Sequence, residues 1–292
     1  MSAPEHPHPT FLGLPPEATE GVCGAVVIPV PYDGTSTWHK GADAGPRALL
    51  DASAAVELYD IETDREPWRA GVRTLPALEC PADPELMSAQ VGETVAAVLA
   101  AGEMPVVLGG EHSVTIGAVN AVADRFEDLT ILQIDAHADT REEYEGSPHN
   151  HACVMARARE RCPIVQVGIR AVDAEEMPGL DPARVFWAHD IVGATDDSWI
   201  DRVVALLTSN VYVTIDLDAF DPSLVPATGT PEPGGLEWYP VNRLLRRVAR
   251  SCRVVGFDVV ELLPAEGQHA SAFAAAKLVY RFLAEITAAR SV

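Results

Sequence analysis

Positive charge is scarce in this sequence of 292 residues: 21 Lys and Arg stand against 43 Asp and Glu, giving a formal charge of −22 and a predicted isoelectric point near 4.6. Nucleic acids and anionic membranes call for a basic face that displaces counterions from phosphates, so neither is an expected partner. A small cationic partner suits the balance better. Cysteine is also sparse. Cys23, Cys80, Cys153, Cys162 and Cys252 are odd in number and widely spaced, with no close pair. That argues against a disulfide framework and against a thiolate zinc site, and fits reduced thiols in a cytoplasm. No apolar run approaches the roughly 20 residues of a membrane span. The opening Met1-Ser2-Ala3-Pro4-Glu5-His6-Pro7 lacks the basic-then-apolar pattern of a signal peptide. The expectation is a soluble cytoplasmic protein. Repeats, low-complexity tracts and an interdomain linker are absent too.

What the sequence does hold is enough apolar residue, 48%, to build a substantial core. Much of it lies in short runs rich in Val and Ile: Ala25–Pro29, Pro105–Leu108, Thr130–Ile134, Ile164–Val167, Val211–Ile215 and Val254–Val260. Apolar on consecutive positions, these read as parallel strands covered on both faces. Between them Pro84–Ala101, Ser113–Arg125, Asp197–Leu207, Pro240–Arg250 and Ser271–Ala288 have helical length and spacing, with Asp83 and Asp197 as expected N-caps. The expected fold class is α/β: a single three-layer αβα domain over residues 16–292 around a central, mostly parallel sheet. Residues 1–15, rich in Pro and His, read as an irregular arm.

Ligands of an open parallel sheet gather at the carboxyl ends of its strands. Three expected ends stand out: Gly109-Gly110-Glu111-His112-Ser113, Asp135-Ala136-His137-Ala138-Asp139 and Asp216-Leu217-Asp218. The first fragment alone fits a tight turn with Ser113 capping a helix, and the third a turn that bonds its own backbone. The middle one resists such readings. Residues two apart on an extended chain point the same way, so Asp135, His137 and Asp139 would crowd two carboxylates and an imidazole on one side. Such groups at a buried strand end repel one another unless something positive sits among them. Together the three ends supply two His and four Asp with no Cys, a set suited to hard or borderline divalent ions, Mn²⁺ above all. Six ligands exceed the needs of one ion with an open position. Two ions about 3.5 Å apart, bridged by shared carboxylates and a water, would use them all.

These three fragments, with Asp216-Leu217-Asp218 extended through Ala219-Phe220-Asp221-Pro222, resemble in order and spacing the metal signatures of the ureohydrolases, the arginase and agmatinase family. The resemblance runs from Pro31-Tyr32-Asp33 and Gly45-Pro46-Arg47 to Gly256-Phe257-Asp258-Val259-Val260-Glu261 and the Ala-rich last helix. Ser147-Pro148-His149-Asn150-His151-Ala152-Cys153 and Gly229-Thr230-Pro231-Glu232-Pro233-Gly234-Gly235-Leu236 look more like agmatinases than arginases. The resemblance implies an arginase-like fold, two Mn²⁺ per subunit and hydrolysis of a guanidino group to urea and an amine. It implies that His112 and Asp139 hold one ion, that His137 and Asp218 hold the other, and that Asp135 and Asp216 bridge them. Asp139 would also take a proton from the attacking water, and Glu261 would pair with the guanidinium in a bidentate contact. His151 would pass a proton to the leaving amine, with His149 as a rival two residues away. His269 departs from the family pattern and leaves the nearby pocket wall open. Trimers or hexamers are the family's assemblies.

The loop after Asp139 carries Glu142, Glu143 and Glu145 against Arg141, which favours a cationic tail and therefore agmatine, giving putrescine. N1-aminopropylagmatine shares that charge logic, and 4-guanidinobutyrate or arginine stays open if Arg141 turns inward. A metal-dependent amine deacetylase of the same fold would use one ion and fewer ligands. A regulatory relative would have lost ligands, and none is missing.

Overall fold

The chain alternates strand and helix along most of its length, and in the computed structural model, which describes residues 9–15, 19, 21 and 23–290, this produces eight strands that are all parallel. The strands are β1 (Ala25–Val30), β2 (Val72–Thr74), β3 (Pro105–Gly109), β4 (Leu129–Ile134), β5 (Ile164–Ile169), β6 (Val185–Trp187), β7 (Asn210–Asp216) and β8 (Arg253–Val260). The helices are α1 (Gly45–Ser53), α2 (Pro84–Ala100), α3 (Val114–Arg125), α4 (Val154–Arg159), α5 (Ala188–Ile191), α6 (Ser198–Ala205), α7 (Trp238–Ser251) and α8 (His269–Arg290). Strand order across the sheet is β2-β1-β3-β8-β7-β4-β5-β6. Alternate residues of each strand feed two cores. Val26, Ile28 and Ile131 pack with α2, α3 and α4 on one face, and Val27, Leu132 and Ile134 with α1, α6, α7 and α8 on the other. Two-sided burial explains the unbroken apolar runs.

All six expected strands and five expected helices are present, with ends moved by a few residues. Asp83 caps α2, its Oδ1 accepting from the amides of Glu85 and Leu86 at 3.0 Å each. Asp197 does not cap α6. Its Oδ1 pairs with Arg243 Nε at 2.9 Å, and Asp196 accepts from the Ser198 amide at 2.9 Å in its place. The edge strands β2 and β6, three residues each, are too short for a periodic signal, and so are α4 and α5. Among the described residues, no helix is long and apolar enough to cross a membrane.

His6 and His8 of the expected arm lie outside the described residues. Residues 9–15 are irregular but packed: Phe11–Gly13 forms a 3₁₀ turn, and Phe11, Leu12 and Leu14 enter the core beside α1. The Phe11 amide donates to Thr74 Oγ1 at 2.9 Å and the Leu12 amide to Ser53 Oγ at 2.8 Å. Because Phe11 is fully buried, Phe11→Ala should lower unfolding stability by about 3 kcal/mol or more. Urea denaturation measures this, and a loss below about 1 kcal/mol would show that the segment adds no core.

Candidate metal centre

The site begins where β3 stops. Gly109-Gly110 turns the chain beneath β1, and a Cβ on Gly110 would stand 2.0 Å from the Tyr32 carbonyl oxygen, so only glycine fits. That oxygen accepts instead from the Glu111 amide at 2.9 Å, which sets the direction in which His112 leaves the sheet. His112 Nδ1 lies 3.0 Å from Asp139 Oδ2, 3.2 Å from Asp135 Oδ2 and 3.3 Å from Asp216 Oδ2. His137 Nδ1 lies 2.9 Å from Asp218 Oδ2 and 3.8 Å from Asp135 Oδ1. Two groups able to hold a metal ion result, His112–Asp135–Asp139 and Asp135–His137–Asp218, and Asp135 belongs to both. Asp216 touches both as well, through His112 and through its Oδ1, which accepts from the Asp218 amide at 2.8 Å.

These four aspartates are buried. Burial drives Asp135 up to about 7, with Asp218 and Asp139 adding to it, and raises Asp216 well above the carboxylate range beside Asp218 and Asp135. Burial opposes charge on His137, yet Asp218, Asp135 and Asp139 outweigh it and lift the imidazole to about 11. His112 rises for the same reason, through Asp135, Asp139 and Asp216. Burial also works against Asp218, but His137 and the Ala136 amide hold it down at about 2. His112 Nδ1 is buried among three carboxylates and hydrogen-bonded to none of them. A divalent cation would answer both the crowded negative charge and the unpartnered nitrogen, and imidazole plus carboxylate without thiolate fits a hard or borderline ion. The backbone is strained at two of these positions: Asp139 has φ +51° and Glu261 φ +66°.

A cleft of about 360 Å³ opens above the two groups, lined by His112, His137, Asp139, Asp216 and Asp218 and, further out, by His151 and Glu261. Asp135 lies beneath it, fully buried. Glu261 Oε1 accepts from the His112 amide at 2.7 Å, and the Glu261 amide donates to the Gly110 carbonyl at 2.8 Å. His151 opens the turn His151–Cys153. Its Nδ1 is 3.2 Å from Thr35 Oγ1, which also accepts from the His151 amide at 3.0 Å. The same hydroxyl donates to the buried Glu111 Oε1 at 3.0 Å, a contact the motif itself did not suggest. His149 donates its amide to Ser147 Oγ at 3.1 Å and, like His269 at the start of α8, does not line the cleft.

The entrance loop differs from expectation. Glu142, Glu143 and Glu145 do not line the cleft, and Glu142 is taken up by Arg157 at 2.7 Å and by Arg159. Arg141, with Tyr144 beside it, turns inward from this loop, the condition set above for a guanidino acid, but two cleft carboxylates already take up its charge. Arg141 stacks 4.4 Å over the Tyr144 ring and pairs with Asp173 at 3.2 Å and Glu176 at 3.6 Å. Acid reaches the cleft instead from Asp173 and Glu176, just past β5, and from Glu232. Asp173 and Glu176 stand beyond a strand end of the same kind that yields the metal ligands, and that position is the signal by which the sequence could have disclosed them. Arg170, also past β5, donates from Nη2 to the carbonyls of Asp218 at 2.6 Å and Glu232 at 2.8 Å, fastening the Asp218 loop by its backbone.

A family model described as the arginase family matches residues 23–284. The chain belongs to the arginase family. Within the family it is 40% identical over 269 residues to the N(1)-aminopropylagmatine ureohydrolase of Synechocystis sp., covering 88% of this chain and 87% of the relative. It is 39% identical to the protein of the same name from Thermus thermophilus, covering 87% of each. Among solved structures, the agmatine ureohydrolase of Thermoplasma volcanium superposes with a TM-score of 0.88 at 32% identity, covering 98% of this chain and 97% of that one. The arginase-family fold is thus shared over nearly the whole chain.

Cation binding should carry a definite pH signature. In the metal-free protein Asp135 is raised from 3.8 to about 7 and His137 from 6.5 to about 11, so folding favours their protonated forms. Stability without a cation should therefore fall as pH rises from about 4 through about 7, and a cation that displaces these protons removes the penalty. The melting-temperature gap between cation-loaded and chelator-treated protein should widen between about pH 5 and about pH 8. A constant or narrowing gap in calorimetry would contradict the coupling.

Proposed function

We propose that this protein is a dinuclear manganese ureohydrolase that cleaves the guanidino group of a cationic amine, agmatine in the first place, to urea and putrescine. The observation that carries this is the pair of ligand groups sharing Asp135 on the floor of a cleft that also holds His151 and Glu261. His112 and Asp139 would hold one Mn²⁺ and His137 and Asp218 the other, with Asp135 and Asp216 between them. Bound there, the ions would supply Lewis acidity that brings the pKa of a water from about 15.7 toward neutrality. A guanidinium carbon is a poor electrophile because its charge is delocalised, so the protein must place it accurately. Glu261, fixed by the His112 amide, pairs with the guanidinium and aims its carbon at the floor of the cleft. Asp139 accepts the proton of the attacking water. His151, oriented through Thr35, gives a proton to the leaving nitrogen so that putrescine departs as an amine.

A second reading is the longer N1-aminopropylagmatine. The names of the relatives at 40% and 39% identity favour it. So does the outer cleft, where Trp38, 66% exposed, and the carboxylates of Asp173 and Glu232 offer a place for a second ammonium. The rest of the reading is a cytoplasmic homo-oligomer, trimeric or hexameric, with residues 16–292 as one catalytic domain and residues 9–15 packed against it. The five free cysteines and the charge of −22 support an interior location away from nucleic acid and membrane.

Urea release from Mn²⁺-loaded protein over agmatine, aminopropylagmatine, arginine and 4-guanidinobutyrate tests the substrate. The kcat/KM for the better of the two amines should exceed that for arginine by at least about a hundredfold, roughly 2.7 kcal/mol of transition-state preference. Arginine or 4-guanidinobutyrate in front would overturn the cationic-tail reading. Separately, His151→Asn should keep its metal and lose about 10²-fold or more in kcat, while His149→Asn changes little. Equal losses in the two variants would remove His151 from its role.

A further inference from the structure

Beneath the candidate metal centre runs a row of polar side chains that the reaction itself does not use. Gln166, Gln133, Thr214 and Asp258 are direct register partners on β5, β4, β7 and β8, so they share one face of the sheet, the one α2, α3 and α4 cover. All four are buried. Two residues further along β4 and β7, on the same face, come Asp135 and Asp216. The row touches the ligands directly: Gln133 Nε2 donates to Asp135 Oδ2 at 2.7 Å, and Thr214 Oγ1 lies 2.8 Å from His112 Nε2.

Asp258 gives the row its direction. Its Oδ2 accepts from Thr115 Oγ1 at 3.0 Å and Tyr212 Oη at 2.8 Å, and its Oδ1 accepts from Thr214 Oγ1 at 2.6 Å. The Thr214 hydroxyl has one proton. Donated to Asp258, it leaves the oxygen free to accept, so His112 Nε2 must be the donor, and in the neutral ring that a cation binds Nδ1 then carries the lone pair. Nδ1 is the atom that faces Asp135, Asp139 and Asp216 without a hydrogen bond. We infer that Asp258 and Thr214 are positioning residues: they fix the tautomer of His112 so that Nδ1 stands ready to ligate a cation. This rests on the metal reading of the site proposed above, and it concerns affinity for the ion, not the chemical step.

Equilibrium dialysis against Mn²⁺ with metal analysis tests the inference, with thermal melts to check folding. Thr214→Val keeps the shape and removes the acceptor. Asp258→Asn lets an amide donate to Thr214, which can turn the hydroxyl proton toward Nε2 and put hydrogen on Nδ1. Both should weaken binding of one of the two ions by about 10- to 100-fold. Thr214→Ser, which keeps the hydroxyl, and Thr115→Val, which takes a hydroxyl from Asp258 but not from the path to His112, should bind like the parent protein. Should Thr214→Val not fold, Asp258→Asn carries the same expectation. Parental affinity in Thr214→Val or Asp258→Asn overturns the inference, and so does a loss in Thr115→Val as large as that in Thr214→Val, since any damage to the Asp258 cluster would then suffice. A parent protein that binds no Mn²⁺ would overturn the metal reading and this inference together, a result distinct from intact parental binding with an unaffected variant.

Discussion

Four buried aspartates converge where three parallel strands end, and among the described residues no lysine or arginine pairs with any of them. Most of the local architecture follows from that one electrostatic debt. Glycine at position 110 lets the His112 loop pass under Tyr32, and left-handed backbone at Asp139 and Glu261 turns their side chains to the cleft. Arg170 comes close yet binds carbonyls of the Asp218 loop, so it steadies the loop without forming an ion pair to its carboxylate. Two imidazoles answer part of that charge, and no permanent cation of the described side chains answers the rest.

The charge lining the cleft is set on a smaller scale than the formal charge of −22. Glu142 is neutralised by two arginines outside the cleft, whereas Asp173 and Glu176 share Arg141 within it. What a substrate meets is this short-range arrangement, because exposed charge beyond a Debye length of roughly 8 Å is largely screened at physiological salt. Total acidity therefore anticipated an acidic cleft wall but named the wrong glutamates for it.

The strands, and the convergence of the six candidate ligand residues, were legible because two-sided burial writes itself as unbroken apolar runs and because the residues after such runs sit at the sheet's open end. Helix ends were legible where a cap was local, as at Asp83, and misread at Asp197, whose partner Arg243 lies 46 residues away. Thr35 and Glu111 are held together across 76 residues, and Thr214 reaches His112 across 102. Contacts of that range leave no spacing to read. One trace was nevertheless present: Asp258 interrupts an otherwise apolar strand, and a carboxylate inside a buried strand has to be hydrogen-bonded by something.

The strand order has a temporal side. β8, the last strand in sequence, lies between β3, which carries His112, and β7, which leads to Asp216 and Asp218. During synthesis every ligand has emerged long before the strand that brings His112 beside its partners. A nascent chain that ends before Arg253 has the donors but not the sheet that gathers them, and β8 also supplies Asp258 and the backbone that leads to Glu261. Assembly of both candidate groups is therefore a late event, one that requires a carboxy-terminal strand already threaded into the middle of the sheet.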